Sequence, residues 1–346
     1  MNDNAVHVVM LVYDPSGTYS QHAGVVMTSI FENTHSKVIV HILHDETLTQ
    51  DNRQKLIRTA ERYSQSLDLI DVSEHKKHFT DTATDLARRK CTIGSLYRLF
   101  IPELMPKISK VIYLDCDIVV NLDIKEMWDI DVNDCCLAAV HDPMFETLTE
   151  TVRDWLNGSS SKTFVNAGVM IMNLDMIRQR GNLFNNAMAW IERRVHLMQY
   201  SDQDVINNLF YGSIKLIDPK FNNCNPATEE ALSDSIIHTP IRDERLKIWS
   251  MSKLPSQRLY WKHYVHSAWG EDTTPEELTG LLYNASSPAQ IYRRESYLSC
   301  LIRVIRSPYR RVLLNLHILQ SAIYMRVIIV YIIKDVYYRL KYKFTH

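Results

Sequence analysis

Apolar runs of six to eight residues alternate along the first part of this chain with stretches whose apolar positions recur at helical spacing. Val6 to Tyr13 reads as a strand that stops at the turn cluster Asp14-Pro15-Ser16-Gly17, and Ala23 to Asn33 then carries helical periodicity. Val38 to Leu43 is a second strand closed by His44-Asp45, Thr49 caps a polar helix running to about Tyr63, and Leu67 to Val72 is a third strand. Cys91 to Leu104 reads as a helix that feeds the run Val111 to Asn121, and Leu137 to Val140 is a short strand ending at His141-Asp142. Phe164 to Leu174 opens with small residues and continues as an apolar strand. Asn185 to His196 and Asp202 to Phe210 read as helices, the second with an Asp in the usual capping place. From Asp218 to Ser256 the pattern is irregular and polar, with Ile236-Ile237-His238 as a short strand. Strands alternating with helices imply an α/β fold whose parallel sheet is covered on both faces and binds ligands beyond the carboxyl ends of its strands. Asp14, His44 and Asp115 all fall at such ends.

Composition adds little to this reading until charge is divided along the chain. With 346 residues, 46% hydrophobic and 23% charged, the chain can bury a sizeable core. The formal net charge of -1 hides an asymmetry: residues 291–346 hold eleven Lys/Arg against two acids, and the remainder 28 basic against 38 acidic residues. Six cysteines follow no metal-binding spacing and read as reduced and cytosolic. The start, Met1-Asn2-Asp3-Asn4-Ala5, has no basic and apolar leader, and no stretch approaches the roughly 20 apolar residues of a membrane span.

The chemistry concentrates in Val111 to Asn121, an apolar run interrupted by Asp115-Cys116-Asp117. Two carboxylates two residues apart leave the same face of an extended backbone, and hard anionic oxygens side by side suit Mn2+ or Mg2+ held jointly with substrate phosphates. A turn or cap role is the bland alternative for such a pair. Asn166, among the small residues Ala167 and Gly168, offers an amide where backbone can approach a ligand closely. His238, beside an acidic pair, gains interest as an imidazole ligand.

The ordered set Tyr19, Arg98, Asp115-Cys116-Asp117, Asp142, Phe164 with Asn166-Ala167-Gly168-Val169, Asp202-Gln203-Asp204 and Ile236-Ile237-His238 resembles glycosyltransferase family 8. These are retaining sugar-nucleotide transferases that include bacterial lipopolysaccharide glucosyl- and galactosyltransferases. The likeness runs from about residue 6 to about residue 270. It implies a GT-A fold, a Rossmann-like mixed sheet with helices on both faces, over residues 1–270. It further implies that Asp115, Asp117 and His238 bind Mn2+ on a UDP diphosphate, with Cys116 between the two carboxylates, and that Lys247 adds positive charge to the leaving group. Arg98 and Asp142 would hold the donor sugar, Asn166 and Ala167 would line its pocket, and Asp202 and Gln203 would face the anomeric carbon. The retaining step would be either a double displacement or a same-face internal return. Two departures leave alternatives open. The first loop, Asp14 to Tyr19, differs from the family's pattern, so the uracil contact falls to Asp14 or to a backbone group, with Tyr19 stacking on the base. Nine positions separate His238 from Lys247, which makes His263 a rival metal ligand.

Residues 271–346 read as a helical extension that is both basic and rich in tyrosine, suited to the anionic inner face of the cytoplasmic membrane, with packing of its apolar face on the catalytic domain or on a second subunit as the alternative. The expectation is therefore a cytoplasmic, peripherally membrane-associated enzyme. It would use Mn2+ or Mg2+ to move glucose or galactose from a UDP-hexose donor to a glycan or glycolipid acceptor such as lipopolysaccharide core or capsule. The tail is too apolar for a nucleic-acid arm. A sugar nucleotidyltransferase and a non-catalytic, membrane-bound scaffold of the same fold are the rival readings.

Overall fold

The structure is a computed structural model that describes residues 5–90, 92–142, 164–195, 198, 201–224, 232–239, 247–250 and 255–278. The chain divides into two compact units, Met1–Ser286 and Ser287–His346. The extension expected over 271–346 lies outside the described residues from 279 onward.

The described elements run in order as β1 (Val6–Val12), α1 (Ser20–Asn33), β2 (Val38–His44), α2 (Gln50–Arg62) and β3 (Ser66–Asp71). A 3-10 turn at Ser73–His78, α3 (Asp81–Lys90), a second 3-10 segment at Ile93–Phe100 and α4 (Ile101–Leu104) follow. Next come β4 (Lys110–Leu114), β5 (Ile118–Asn121), α5 (Ile124–Trp128), β6 (Leu137–His141) and β7 (Val165–Asn173). The remainder holds α6 (Leu174–Gln179), α7 (Leu183–Arg194), α8 (Asp202–Leu209), β8 (Ile214–Leu216) and a 3-10 turn at Pro219–Asn222. It ends with β9 (Ser235–His238), α9 (Pro255–Val265) and α10 (Ala268–Asp272).

Seven strands form one sheet in the order β3-β2-β1-β4-β7-β6-β8. β3, β2, β1 and β4 are mutually parallel, whereas β7 runs antiparallel to both neighbours, so the sheet is mixed rather than purely parallel. β5 leaves this sheet and pairs antiparallel with β9 in a separate two-stranded ribbon. The continuous apolar strands follow from burial on both faces. Along β1, Val8, Met10 and Val12 enter one core with α1, while Val9 and Leu11 enter the other with the Ile93–Phe100 segment. Each fully buried Val, Ile or Leu contributes about 1.5–3 kcal/mol, so this two-sided burial fixes the register.

Two local expectations are corrected. The helix expected over Cys91 to Leu104 is mostly 3-10, with a single α turn at its end. Thr92 caps it by accepting from the Ser95 N–H, and Pro102 sits in the following turn. The second concerns α8: Asp202 does not cap it, because Ser201 occupies that place with φ 56° and the Asp202 carboxylate turns to Arg98 instead. Thr49 does cap α2, accepting from the Asn52 N–H.

Candidate active site

Asp115 follows the last residue of β4, at the carboxyl edge of the parallel strands, and Asp117 immediately precedes β5. Because β5 pairs Ile118 with His238, the end of β9 lies beside the acidic pair. Asp115, Asp117 and His238 each present a ligand atom within 4.8 Å of the other two. His238 Nε2 is 3.2 Å from Asp117 Oδ1 and 4.0 Å from Asp115 Oδ2, yet it is buried without a well-formed hydrogen bond. The rival, His263, is elsewhere: its Nδ1 is 2.7 Å from Glu32 Oε2 on α1.

Gly168 keeps the space between these groups open. A Cβ there would collide with His238 Cε1 and lie 2.9 Å from Asp115 Oδ2. Two carboxylates, a buried imidazole with an orphaned nitrogen and a side-chain-free cradle fit a divalent cation of the Mn2+ or Mg2+ kind.

The surrounding side chains distribute the charge. Asp115 Oδ1 accepts from Arg98 Nη2 at 3.0 Å and from Tyr113 Oη at 2.5 Å, which leaves Oδ2 toward His238. Arg98 is buried, donates through Nη1 to Ala167 O at 2.8 Å and pairs through Nε with Asp202 Oδ2 at 3.1 Å. Burial would lower its pKa, but Asp202 and Asp115 outweigh that and raise it. Asp202 is shifted upward by burial, with Arg98 opposing. Asp117 is ion-paired with Lys247, whose Nζ also donates to Thr239 O at 3.1 Å. Burial would raise the Asp117 carboxyl, but His238 and Lys247 hold it well below the usual carboxylate range. Burial likewise disfavours the His238 imidazolium, and Asp117 overrides it, lifting the pKa to about 10.

A second group of polar side chains adjoins the cluster. Asp142 Oδ2 accepts from Asn166 Nδ2 at 3.3 Å and from Gln203 Nε2 at 2.8 Å, while Gln203 Oε1 accepts the Ala167 N–H at 3.0 Å. Arg98, Asp142, Asn166, Ala167, Asp202 and Gln203 thus form one connected patch beside the acidic pair, although they come from four separate stretches of chain.

In the first loop, Asp14 is buried and fully engaged. Its Oδ1 accepts the Tyr19 N–H at 2.7 Å, and its Oδ2 accepts the Ser20 N–H at 2.9 Å, Ser20 Oγ at 2.6 Å and Asn52 Nδ2 at 3.2 Å. Asp14 therefore shapes the loop and holds the start of α1. Tyr19 stands edge-on to Trp249, with ring centroids 6.5 Å apart. The Cys116 thiol points into the core and donates to Leu11 O at 3.3 Å, so this residue offers the site only its backbone.

Sequence reasoning missed several of these neighbours. Tyr113, Asn222 and His22 all touch the site through side chains, but none carries a local signal. Asn222 could be found only from the pairing of Asn223 with Ile237, which lays the preceding chain along β9.

A GT-A frame carrying paired carboxylates and a histidine at the carboxyl edge of its parallel strands has the form of a glycosyltransferase. Comparison with known proteins agrees: the profile of Glycosyl transferase family 8 matches residues 10–239. The chain belongs to that family. It is 27% identical over 213 residues to a putative glycosyltransferase of Haemophilus influenzae, a match covering 61% of this chain and 62% of that protein. It is 25% identical over 226 residues to the lipopolysaccharide 1,2-glucosyltransferase of Escherichia coli, covering 64% of each. The match spans less than two thirds of either relative's length. Among solved structures, a galactosyltransferase in complex with donor and acceptor sugar analogs shares the fold with a TM-score of 0.63 and 23% identity, over 80% of this chain and 100% of that one.

Proposed function

We propose that this glycosyltransferase moves glucose or galactose from a UDP-hexose to a cell-surface glycan such as lipopolysaccharide core or capsule, with retention and with Mn2+ dependence. The observation that carries this reading is the convergence of Asp115, Asp117 and the orphaned His238 Nε2 around the Gly168 cradle. These three side chains would hold the cation. When bound, it supplies positive charge to the diphosphate that leaves as the glycosidic bond to UDP breaks.

The chain's own residues do the rest. Lys247 adds a second cation to the leaving group, already oriented by Thr239 and Asp117. Arg98 and Asp142 hold the donor hexose, and the Asn166–Ala167 backbone lines its pocket. Asp14, engaged by Tyr19, Ser20 and Asn52, holds the loop for Tyr19 to stack on the base, which favours a backbone group of that loop for the uracil contact. Gln203 is fixed at both ends by Asp142 and the Ala167 N–H, and Asp202 is ion-paired with Arg98. A carboxylate engaged with a guanidinium is a weakened nucleophile, which favours same-face internal return over double displacement.

Among the described residues no helix is long and apolar enough to cross a membrane. The sequence of the C-terminal part, eleven cations against two acids in residues 291–346, supports peripheral attachment to an anionic inner leaflet, where a lipid-linked acceptor would be met.

The test is a panel of UDP- and GDP-sugars with Mn2+, read as release of the nucleoside diphosphate and transfer to glycan acceptors. Activity with a UDP-hexose, lost in Asp115→Ala and on chelation of the metal, supports the reading. Undiminished transfer by Asp115→Ala rejects it.

A further inference from the structure

Which nitrogen of His238 faces the two carboxylates is decided by a residue outside the cluster. Asn222 closes the 3-10 turn Pro219–Asn222 and is buried at 4% exposure. Its place is set by backbone: the Asn223 N–H donates to Ile236 O at 2.8 Å and the His238 N–H donates to Asn223 O at 3.0 Å, so this chain rides along β9. Asn222 Oδ1 lies 2.9 Å from His238 Nδ1, and Asn222 Nδ2 lies 3.0 Å from Asn166 Oδ1.

The direction of these bonds follows from groups whose chemistry is unambiguous. The Gly168 N–H can only donate, and it meets Asn166 Oδ1 at 3.0 Å; Asp142 Oδ2, which already accepts from Gln203 Nε2, meets Asn166 Nδ2 at 3.3 Å. Asn166 is therefore oriented from both ends, with its oxygen toward Asn222. Asn222 must turn its NH2 group to that oxygen and its own oxygen to His238. A carbonyl oxygen accepts only, so Nδ1 carries a proton in either charge state of the ring. The nitrogen left to give a lone pair to a cation is Nε2, the one aimed at Asp115 and Asp117. Cys224 Sγ, 3.4 Å from the same Asn222 oxygen, is a second and weaker donor to it.

The chain of bonds does not end there. Asn166 connects through Asp142 Oδ2 to Gln203 Nε2 at 2.8 Å, and Gln203 Oε1 accepts the Ala167 N–H at 3.0 Å. One row of directed hydrogen bonds thus runs from the histidine of the acidic cluster to the patch assigned to the donor hexose.

We propose that Asn222 is a positioning residue that holds His238 in the tautomer able to bind a divalent cation and couples cation binding to reading of the donor sugar. The proposal rests on the function given above and adds a residue and a linkage to it. An amide is needed for both halves. A carboxylate at this position would still accept from Nδ1 but could no longer donate to Asn166, whereas an isosteric alkyl group would do neither.

The test uses the full chain, with Mn2+ titrated by calorimetry in the absence and presence of the UDP-hexose found active, and with initial rates against donor concentration. Loss of such an outer partner costs about 10–100-fold in metal affinity, and Asn222→Leu is expected to lose that much. Asn222→Asp is expected to keep Mn2+ affinity near that of the wild type, to raise KM for the donor and to weaken the enhancement that metal and donor confer on each other, which is reciprocal by linkage. Should Asn222→Leu fail to fold, Asn222→Asp, similar in shape, carries the test alone. Two results overturn the proposal: Asn222→Asp binding Mn2+ tenfold or more weakly than wild type, or Asn222→Asp matching wild type in both donor KM and metal–donor coupling. Wild-type protein that binds no Mn2+ overturns the metal reading itself, an outcome distinct from either.

Discussion

His22 lies flat against Trp249, with ring centroids 3.8 Å apart and planes 17° from parallel. His22 is on the first turn of α1, and its Nδ1 is 2.7 Å from Tyr260 Oη on α9. Lys247 Nζ reaches over the same indole, 5.5 Å from its centroid. The stack thus ties the start of α1 and helix α9 to the short Lys247–Ser250 stretch that brings a cation to Asp117.

Removing the stack is expected to loosen Lys247 and the Trp249 wall beside Tyr19. An aromatic pair is worth about 0.5–1.5 kcal/mol and a hydrogen bond about 1 kcal/mol. His22→Ala should therefore raise KM for the nucleotide-sugar by roughly tenfold, whereas His22→Phe should keep most of the affinity. Steady-state kinetics on the two variants checks this, and equal effects would show that the ring face is not what matters.

The same residue shapes stability against pH. Burial pushes the His22 imidazole down from 6.5 to about 3. As pH falls from about 6.5 toward 3, the unfolded chain takes up a proton that the folded chain excludes, so stability drops, by up to about 1.4 kcal/mol per pH unit from this group. Above about 6.5 the group contributes no slope. In urea titrations across this range, the wild type should lose stability more steeply than His22→Phe; parallel profiles would count against it.

Gly168→Ala introduces a methyl group where His238 Cε1 and Asp115 Oδ2 already stand. The backbone there is held by β7, which pairs with β4 through Leu114–Val169, so the side chains must give way instead. The expected result is a folded protein whose transferase activity falls about a hundredfold or more, in line with losses from disturbed metal shells. Circular dichroism and the rate assay together check it.

Arg98→Lys keeps the charge and loses the fork. The guanidinium serves Asp115, Asp202 and the carbonyls of Ala167 and Ser95 at once. A lysine can reach some of these and leaves others buried without a partner, at a cost of about 3–5 kcal/mol. A clear fall in melting temperature should accompany loss of activity.

Much of the frame was legible because the central strands β1, β2 and β4 are buried on both faces and read as near-continuous apolar runs. The candidate cluster at Asp115 and Asp117 was legible for a related reason, since hard carboxylates interrupting such a run stand out, and the structure brings His238 to them. What the sequence hid was pairing. Val111 to Asn121 is one apolar run interrupted only by Asp115-Cys116-Asp117, yet β4 joins the seven-stranded sheet while β5 joins β9, and apolarity does not record a strand's partner. Asp202 looked like a cap because Asp often is one, and its ion pair with Arg98 spans over a hundred residues that no local rule connects. Asn222 was invisible for the same reason: its two partners, Asn166 and His238, are distant in sequence.

The break between β4 and β5 also gives the acidic cluster a mechanical meaning. Asp115 belongs to the end of the large sheet, whereas Asp117 and His238 belong to the two-stranded ribbon. The three side chains straddle a seam, and any ligand gripped by all of them adds a cross-link between the sheet and a ribbon that shares its core and hydrogen-bonds to α1. Occupancy should then be felt along the ribbon as slower amide hydrogen exchange in Ile118–Asn121 and Ser235–His238, so that a small ion adds to the packing and hydrogen bonds that already hold the ribbon in place.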